Sequence, residues 1–286
     1  MSEPNGKATP AACGAVVIRT DEVARDVRVI ALEIPQDVPV PTPGQFYQVD
    51  CGGGREHLLP RPIGAFDARS SNGVLSLAFL VESVGWGTER LCSLVPGDSI
   101  RILGPLGRGF SAAEGKALIV AGGVGLAPLH FLASSMDKAG EPYVLLAGVA
   151  SKDRYIAPLS TLTGEVQVFS DDGTIGENGL VCDAAGPRLS DGGFSKVYAC
   201  GPELMMAVVA GAAEAQGVPC EVSLDSRMAC GIGACRGCVK AGADGKNLCV
   251  CTDGPVFDSR AVKWTSPLNA PLGSNLKREF PERESK

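Results

Sequence analysis

The sequence predicts a multidomain chain: a small antiparallel β-barrel, then an α/β domain built on a parallel sheet, then a short cysteine-rich segment. Three observations predict that order. Short apolar runs between turns fill residues 14 to 110, the rhythm changes to strand, glycine loop and helix from Lys116, and cysteines and glycines crowd the stretch after Cys220. The expected boundaries are 14–111 for the barrel, 112–219 for the α/β domain and 220–265 for the cysteine segment. Residues 1–13 and 275–286 are expected to be disordered tails, the first small and polar, the second charged.

In the first part "AVVIRTDEV", "VRVIALEI", "QFYQVD", "VLSLAFLVES" and "SIRIL" read as strands. "PTPGQF", "SSNG" and "VPGDS" read as the turns between them. Only "GTERLCSLV" has a helical pattern, so several strands with almost no helix point to a small antiparallel barrel. In the second part "ALIVAGGVGLAPLHFLASSMDKAG" is a strand, glycine loop and helix. "PYVLLAGVA" and "VQVFSDDG" are further strands, and "KVYACGPELMMAVVAGAAEAQG" is a strand and helix. Continuously apolar strands alternating with helices require a parallel sheet covered on both faces.

At 286 residues the chain has room for two domains and an appendage. Its formal charge of −6 excludes an electrostatic grip on nucleic acid. Two histidines, His57 and His130, leave little scope for histidine-based metal or triad chemistry. The longest apolar stretch, 117–129, is interrupted by three glycines and a proline, so it is too short and broken to span a bilayer. Eleven cysteines with no secretory signal before them fit a reducing compartment and metal use, and a cytoplasmic location is expected.

Cys230, Cys235, Cys238 and Cys251 have the spacing C-x4-C-x2-C-x12-C. A C-x4-C-x2-C run with one distant cysteine is the plant-type [2Fe–2S] ligand pattern. Gly231, Gly233 and Gly237 let the first three ligands share one tight loop. A structural zinc site is the other metal reading, but it more often has two C-x2-C knuckles, and there is one here. Cys249 and Cys251 compete for the fourth position. Spaced by two, they would share a face of an extended segment, and geometry alone does not choose between them.

"GGVGLAP", residues 122–128, follows an apolar strand and opens a helix. Gly122, Gly123 and Gly125 would admit a pyrophosphate against the helix N-terminus, and Pro128 suits a first turn. This is not G-x-G-x-x-G, and the next strand, "LLAGVA", lacks the ribose-binding carboxylate of the standard dinucleotide site. The bland reading is a tight strand–helix turn. "ACGPELM" supplies a second small-residue loop, with Cys200, Gly201 and Pro202, at another strand end. Cys200 is either a core thiol or a nicotinamide contact. "LLPRPIGAF" places Arg61 and Pro62 at the end of a barrel strand, and "VGWGTERL" places Gly87 and Thr88 at a helix start suited to phosphate.

In this order, with "GPLGRGF" between them, these motifs resemble the ferredoxin–NADP reductase superfamily, which joins an FAD-binding barrel to an NAD(P)-binding α/β domain. With "MACGIGACRGCV" and "CTDGPVF" the resemblance narrows to the electron-transfer subunits of dihydroorotate dehydrogenase B, over residues 14–262. It implies that Arg61, Pro62, Ile63 and Gly64 contact the FAD isoalloxazine, that Leu80, Val81 and Glu82 form the second flavin strand, and that Gly87 and Thr88 hold phosphate. It implies NAD at Gly122, Gly123, Gly125, Cys200, Gly201 and Pro202. Asp171, Asp172 and Gly173 match a family motif whose role is either structural or cofactor-related. The family's last cysteine directly precedes an x-Asp-Gly-Pro turn, which selects Cys251 and leaves Cys249 a spectator. The chain departs from the family at Gly64, where a Ser or Thr is usual.

The resemblance also implies a redox order. Nicotinamide takes two electrons as a hydride, a [2Fe–2S] cluster passes one at a time, and a flavin can do both. Electrons would run from dihydroorotate through a partner subunit's FMN, this cluster and this FAD to NAD⁺, in pyrimidine biosynthesis. The chain has no room for a (β/α)8 barrel of about 250 residues, so an FMN-containing catalytic partner is expected, two copies of each in a heterotetramer. Two rivals stand beside this reading. One is a flavin/[2Fe–2S] subunit of a sulfide dehydrogenase or an NADH:ferredoxin–NADP transhydrogenase. The other is a zinc-stabilised regulatory binding module.

Overall fold

The computed structural model describes residues 10–265 apart from 35–37, 53, 55–57 and 72. His57, most of the N-terminal tail and the whole of 275–286 lie outside the described residues. Six strands close the first barrel: β1 (Ala11–Ala24), β2 (Val27–Ile34), β3 (Phe46–Asp50), β4 (Arg61–Ser71), β5 (Val74–Glu82) and β6 (Ser99–Leu106), in the order β1-β2-β5-β4-β3-β6. Every neighbouring pair is antiparallel. Tyr47, Leu32, Leu77 and Phe79 fill its interior and are almost wholly buried. The helix α1 (Trp86–Cys92) follows β5, and Leu91 packs with the barrel core.

Two expectations for this half are corrected. Residues 11–13 are not tail: Ala11, Cys13 and Ala12 pair with Gly104, Ile102 and Leu103 of β6, because the closed barrel needs a partner for that edge. Arg61 and Pro62 begin a strand rather than end one. Pro60 has no N–H to offer a neighbour, and pairing with β3 starts at Arg61, opposite Val49.

The second sheet contains β7 (Ala117–Gly122), β8 (Tyr143–Val149), β9 (Glu165–Ser170), β10 (Glu177–Asn178), β11 (Lys196–Cys200) and β12 (Cys220–Ser223). These six are parallel, in the order β10-β9-β8-β7-β11-β12. All six residues of β7 are buried, as a central parallel strand requires. The covering helices are α2 (Leu126–Ala139), α3 (Val181–Ser190) and α4 (Glu203–Ala215). The sequence reading missed α3, whose Gly186 and Pro187 break its helical pattern, although Val181, Cys182, Ala185 and Leu189 form a buried stripe.

The cysteine segment is stitched into that sheet. It carries the hairpin β13 (Val239–Ala241) and β14 (Asn247–Cys249), one helical turn α5 (Val250–Asp253), and β15 (Val256–Asp258). β15 pairs antiparallel with β12, so the sheet ends on a strand from beyond the last cysteine. The extended path expected through Cys249 and Cys251 does not form. Asp253 Oδ2 accepts the Cys249 N–H at 2.8 Å and turns the chain into α5 between the two cysteines.

The barrel and the α/β domain share apolar core. Val27, Val29, Phe66 and Leu80 of the barrel pack with residues of β7, β8 and α2. Phe66 stacks on the ring of His130 from α2 at 4.2 Å between centroids. Burial holds the His130 imidazole below its ordinary pKa, so the joint is a neutral, apolar one. Arg154, after β8, forms an ion pair with Glu82 and donates to the Arg25 carbonyl at 2.7 Å, a polar clasp beside the apolar joint.

Candidate functional site

A cleft of about 580 Å³ opens where the barrel meets the α/β domain. From the barrel come Pro62, Ile63 and Gly64 at the start of β4, Leu80, Val81 and Glu82 at the end of β5, and Thr88 of α1. From the other side come Gly122, Gly123 and Gly125 of the β7–α2 loop, and Cys200, Gly201 and Pro202 of the β11–α4 loop. Both loops sit at the carboxyl ends of parallel strands, the usual ligand position in such a sheet. Residues scattered over 140 positions of sequence therefore meet in one crevice.

Arg61 and Gly87 stand just outside the lining but touch one another. A methyl group on Gly87 would lie 2.5 Å from Arg61 Nε, so the guanidinium lies directly over the first turn of α1. Arg61 Nη1 also donates to the Leu59 carbonyl at 2.6 Å, which fixes its direction. The Thr88 hydroxyl donates to the Gly85 carbonyl at 3.0 Å and accepts the Val84 N–H at 2.9 Å, so it shapes the turn. A fixed cation over a glycine-rich helix start is suited to a phosphate.

The glycines of the two nucleotide-type loops have a reason the sequence hides. A methyl group on Gly125 would lie 2.4 Å from the Cys200 carbonyl oxygen, and one on Gly122 would lie 2.7 Å from Met205 Sδ and 2.9 Å from Pro202 Cδ. Gly201 has a φ of +155° and backs onto Gly122. Gly123, at φ +53°, instead faces open space. The loops are thus packed backbone to backbone, and only Gly offers that approach. No side chain caps α2 or α4. The Leu126 N–H is taken up by the Gly123 carbonyl of the preceding turn, so at the start of α2 it is the helix dipole that favours an anion.

Cys200 ends β11 at the back of the cleft. Desolvation pushes its thiol up to about 12, against a hydrogen bond to the Ser223 side chain that lowers it. It is an uncharged thiol near neutral pH and a poor nucleophile. At Gly64 there is room: a methyl group there would meet only Pro128 Cδ, at 4.0 Å. The absent hydroxyl at this position is therefore not excluded by sterics.

Asp171, Asp172 and Gly173 lie away from the lining of the cleft. Asp172 Oδ1 accepts the Thr174 N–H at 3.0 Å and its hydroxyl at 2.6 Å, and these bonds hold the carboxyl below its ordinary range. That is turn chemistry. Sequence reasoning missed the third wall of the cleft, made by Gly44, Phe46, Leu224, Asp225, Met228 and Pro255. "PTPGQF" read only as a turn, and "CTDGPVF" only as part of the cysteine segment.

The four-cysteine set divides into two neighbouring groups. The Cys235 N–H donates to Cys230 Sγ at 3.4 Å, and the Gly237 N–H to Cys235 Sγ at 3.4 Å. Backbone N–H groups of Cys235, Ile232 and Ala234 bring Cys230 down to about 7, led by that of Cys235. Cys238, Cys249 and Cys251 form a buried triad whose sulfurs all lie within 4.8 Å of one another. The Gly233 N–H donates to Cys251 Sγ at 3.2 Å, which draws Cys251 under the loop that carries Cys230 and Cys235. Cys249 contacts the sulfurs of Cys238 and Cys251 at 3.7 and 3.8 Å. A loop that aims backbone N–H groups at several thiols suits a group carried by thiolates, because those bonds offset concentrated negative charge.

Phe46 connects the two sites. It lines the cleft and packs in the same apolar core as Cys238, Cys249 and Cys251. Met228 and Pro255, which also line the cleft, stand two and four residues from Cys230 and Cys251 in sequence, so the cysteine segment itself forms part of the cleft's rim. The cleft fits a flavin nucleotide and a nicotinamide nucleotide: a fixed Arg61 at one end, two glycine loops at the other, apolar strands between them.

Comparison with known proteins gives the same picture. Residues 225–263 match the family model described as the iron–sulfur cluster binding domain of dihydroorotate dehydrogenase B. A protein of Desulforamulus reducens, the dihydroorotate dehydrogenase B (NAD(+)), electron transfer subunit, is 35% identical over 257 residues, covering 87% of this chain and 97% of that protein. The subunit of the same name from Fusobacterium nucleatum is 36% identical over 224 residues, 76% of this chain and 85% of the relative. Among solved structures, a chain of the NADH-dependent reduced ferredoxin-NADP oxidoreductase, described for flavin-based electron bifurcation, superposes with a TM-score of 0.76 at 28% identity. That match covers 87% of this chain and 90% of the other. A ferredoxin reductase in carbazole 1,9a-dioxygenase, at TM-score 0.63 and 19% identity over 75% of this chain and 68% of that one, shares the fold.

Proposed function

The chain belongs to the family of dihydroorotate dehydrogenase B electron transfer subunits, and we propose that it carries electrons from the FMN of a catalytic partner through a [2Fe–2S] cluster and FAD to NAD⁺. The observation that carries this reading is that the cysteine segment itself lines the cleft, through Met228 and Pro255. FAD in the cleft would exchange a hydride's two electrons with nicotinamide and single electrons with the cluster.

The chain's own residues do the positioning. Arg61 and the first turn of α1 hold flavin phosphate, while Pro62, Ile63, Gly64, Leu80, Val81 and Glu82 hold the ring. Gly122, Gly123 and Gly125, with Gly201 and Pro202, present backbone to the NAD pyrophosphate, and Cys200 offers its uncharged thiol to the nicotinamide. The Glu82–Arg154 clasp keeps the barrel and the α/β domain at a fixed separation, and so sets the width of the cleft. Cys230, Cys235, Cys238 and Cys251 hold the cluster, with Cys249 left out. The N–H groups of Gly233, Cys235 and Gly237 steady its thiolates.

Ile232 is 54% exposed on the cluster loop, and Cys235 beside it is exposed, which supports this edge as the one facing the partner. A heterotetramer with two copies of each subunit, in the cytoplasm, completes the proposal. No helix among the described residues is long and apolar enough to cross a membrane. The structural likeness to the NADH-dependent ferredoxin-NADP oxidoreductase favours one other reading, the equivalent subunit of such a complex, with the same internal path and a different partner.

The purified chain is expected to oxidise NADH with an artificial electron acceptor and to show no turnover of dihydroorotate until a catalytic subunit is added. Steady-state assays with each donor decide the point. Dihydroorotate oxidation by the chain alone would overturn the assignment, and activation only by some other oxidoreductase subunit would favour the alternative.

A further inference from the structure

Gln48 is 2% exposed, and neither its side-chain Oε1 nor its Nε2 has a hydrogen-bond partner among the described residues. A buried amide left in that state is destabilising, so a strand residue of this kind calls for a partner. Its surroundings narrow the choice. Gln48 lies on β3 opposite Pro62, which lines the cleft, and shares a strand face with Phe46, two residues earlier. On its outer side the cluster loop comes down on it. A methyl group on Gly231 would lie 2.6 Å from Gln48 Cγ, 2.9 Å from its Nε2 and 3.0 Å from Leu106 Cδ1.

Gly231 directly follows Cys230, whose sulfur already collects backbone N–H groups from the same loop. Gly231 takes φ +71°, so it is glycine both for its conformation and for the closeness of this amide. Gln48 is thus a barrel side chain pressed against the ligand loop.

Resting on the cluster assignment above, we propose that Gln48 is a positioning residue of the iron–sulfur site, its side-chain N–H donating a hydrogen bond to the sulfur ligation at Cys230. The bond satisfies the orphaned nitrogen of the amide and adds a donor from outside the loop. A donor to cluster sulfur favours the more negative, reduced state, so it raises the reduction potential.

The test is a potentiometric titration of the cofactor-loaded full chain, with the cluster followed by EPR and the flavin by absorbance. Gln48→Leu should shift the cluster's reduction equilibrium about tenfold toward the oxidised form, which is about 59 mV for one electron, with the flavin potential unchanged. Gln48→His, which keeps an N–H donor, should stay near the parent value. Independently of any variant, the parent chain labelled with 15N at the glutamine side-chain amide should show a 15N coupling to the reduced cluster in pulsed EPR. An unchanged cluster potential in Gln48→Leu overturns the proposal. So does the lack of a 15N coupling in the parent, which also decides the matter if Gln48→Leu fails to retain its cluster. A parent chain with no iron at all refutes the cluster assignment instead.

Discussion

Replacing Cys251 with serine is expected to strip the iron–sulfur cluster, while replacing Cys249 leaves it in place. Cys251 Sγ is the member of the buried triad that the ligand loop itself contacts, through the Gly233 N–H. Cys249 meets the thiols of Cys238 and Cys251 and the Thr252 side chain, none of them in the run from Cys230 to Gly237, so its removal takes no bond from that loop. A serine hydroxyl is a poor substitute for a thiolate on iron. Iron in the Cys251→Ser chain should fall well below the about two atoms per chain of a [2Fe–2S] protein. Electron transfer from the partner should be abolished. NADH-driven dye reduction should survive in both variants, because the cleft draws on other segments. Iron analysis with the visible spectrum reads the result, and the opposite pattern would assign the fourth ligand to Cys249.

The second large effect is expected at Gly125. An alanine there places its methyl group 2.4 Å from the Cys200 carbonyl oxygen and 2.6 Å from the carbon, both backbone atoms that cannot rotate away. The two nucleotide loops must separate, at an overpacking cost of about 1–3 kcal/mol. Expressed as lost affinity for NADH, that is roughly 5- to 150-fold. The Gly125→Ala chain should therefore show a raised KM for NADH with normal iron and flavin content. Gly123→Ala meets no neighbour and carries only the strain of its positive φ, so its effect should be smaller. Equal losses in the two variants would mean that the contact with Cys200 does not set the loop.

How much of this was legible in the sequence follows from how local each feature is. The cluster loop is local: three of its ligands fall within nine residues, and spacing alone pointed to iron–sulfur chemistry. The change from period-two strands to strand–loop–helix units is also local, so the barrel and the parallel sheet could be read. The flavin residues are not local. Arg61, Leu80 and Thr88 come from different strands and a helix, and only the family resemblance brought them together.

Contacts made across the fold left no mark. Gly125 and Cys200 are 75 positions apart, and neither the glycine nor the carbonyl reveals the other. Gln48, in the run "QFYQVD", has the polar–apolar alternation of an ordinary exposed strand position. Its burial depends on a loop that arrives from residue 231. The path between Cys249 and Cys251 failed for a related reason. The bond from the Cys249 N–H to Asp253 outweighs the extended tendency of the preceding hairpin.

The most direct test of the central claim is an anaerobic NADH titration of the purified full chain, followed by absorbance and EPR, with iron, zinc and flavin measured on the same sample. An NAD-linked carrier predicts about one FAD and two irons per chain. NADH should bleach the flavin and then produce the EPR signal of a reduced [2Fe–2S] cluster. Zinc in place of iron, or bound flavin that NADH leaves oxidised, would contradict it.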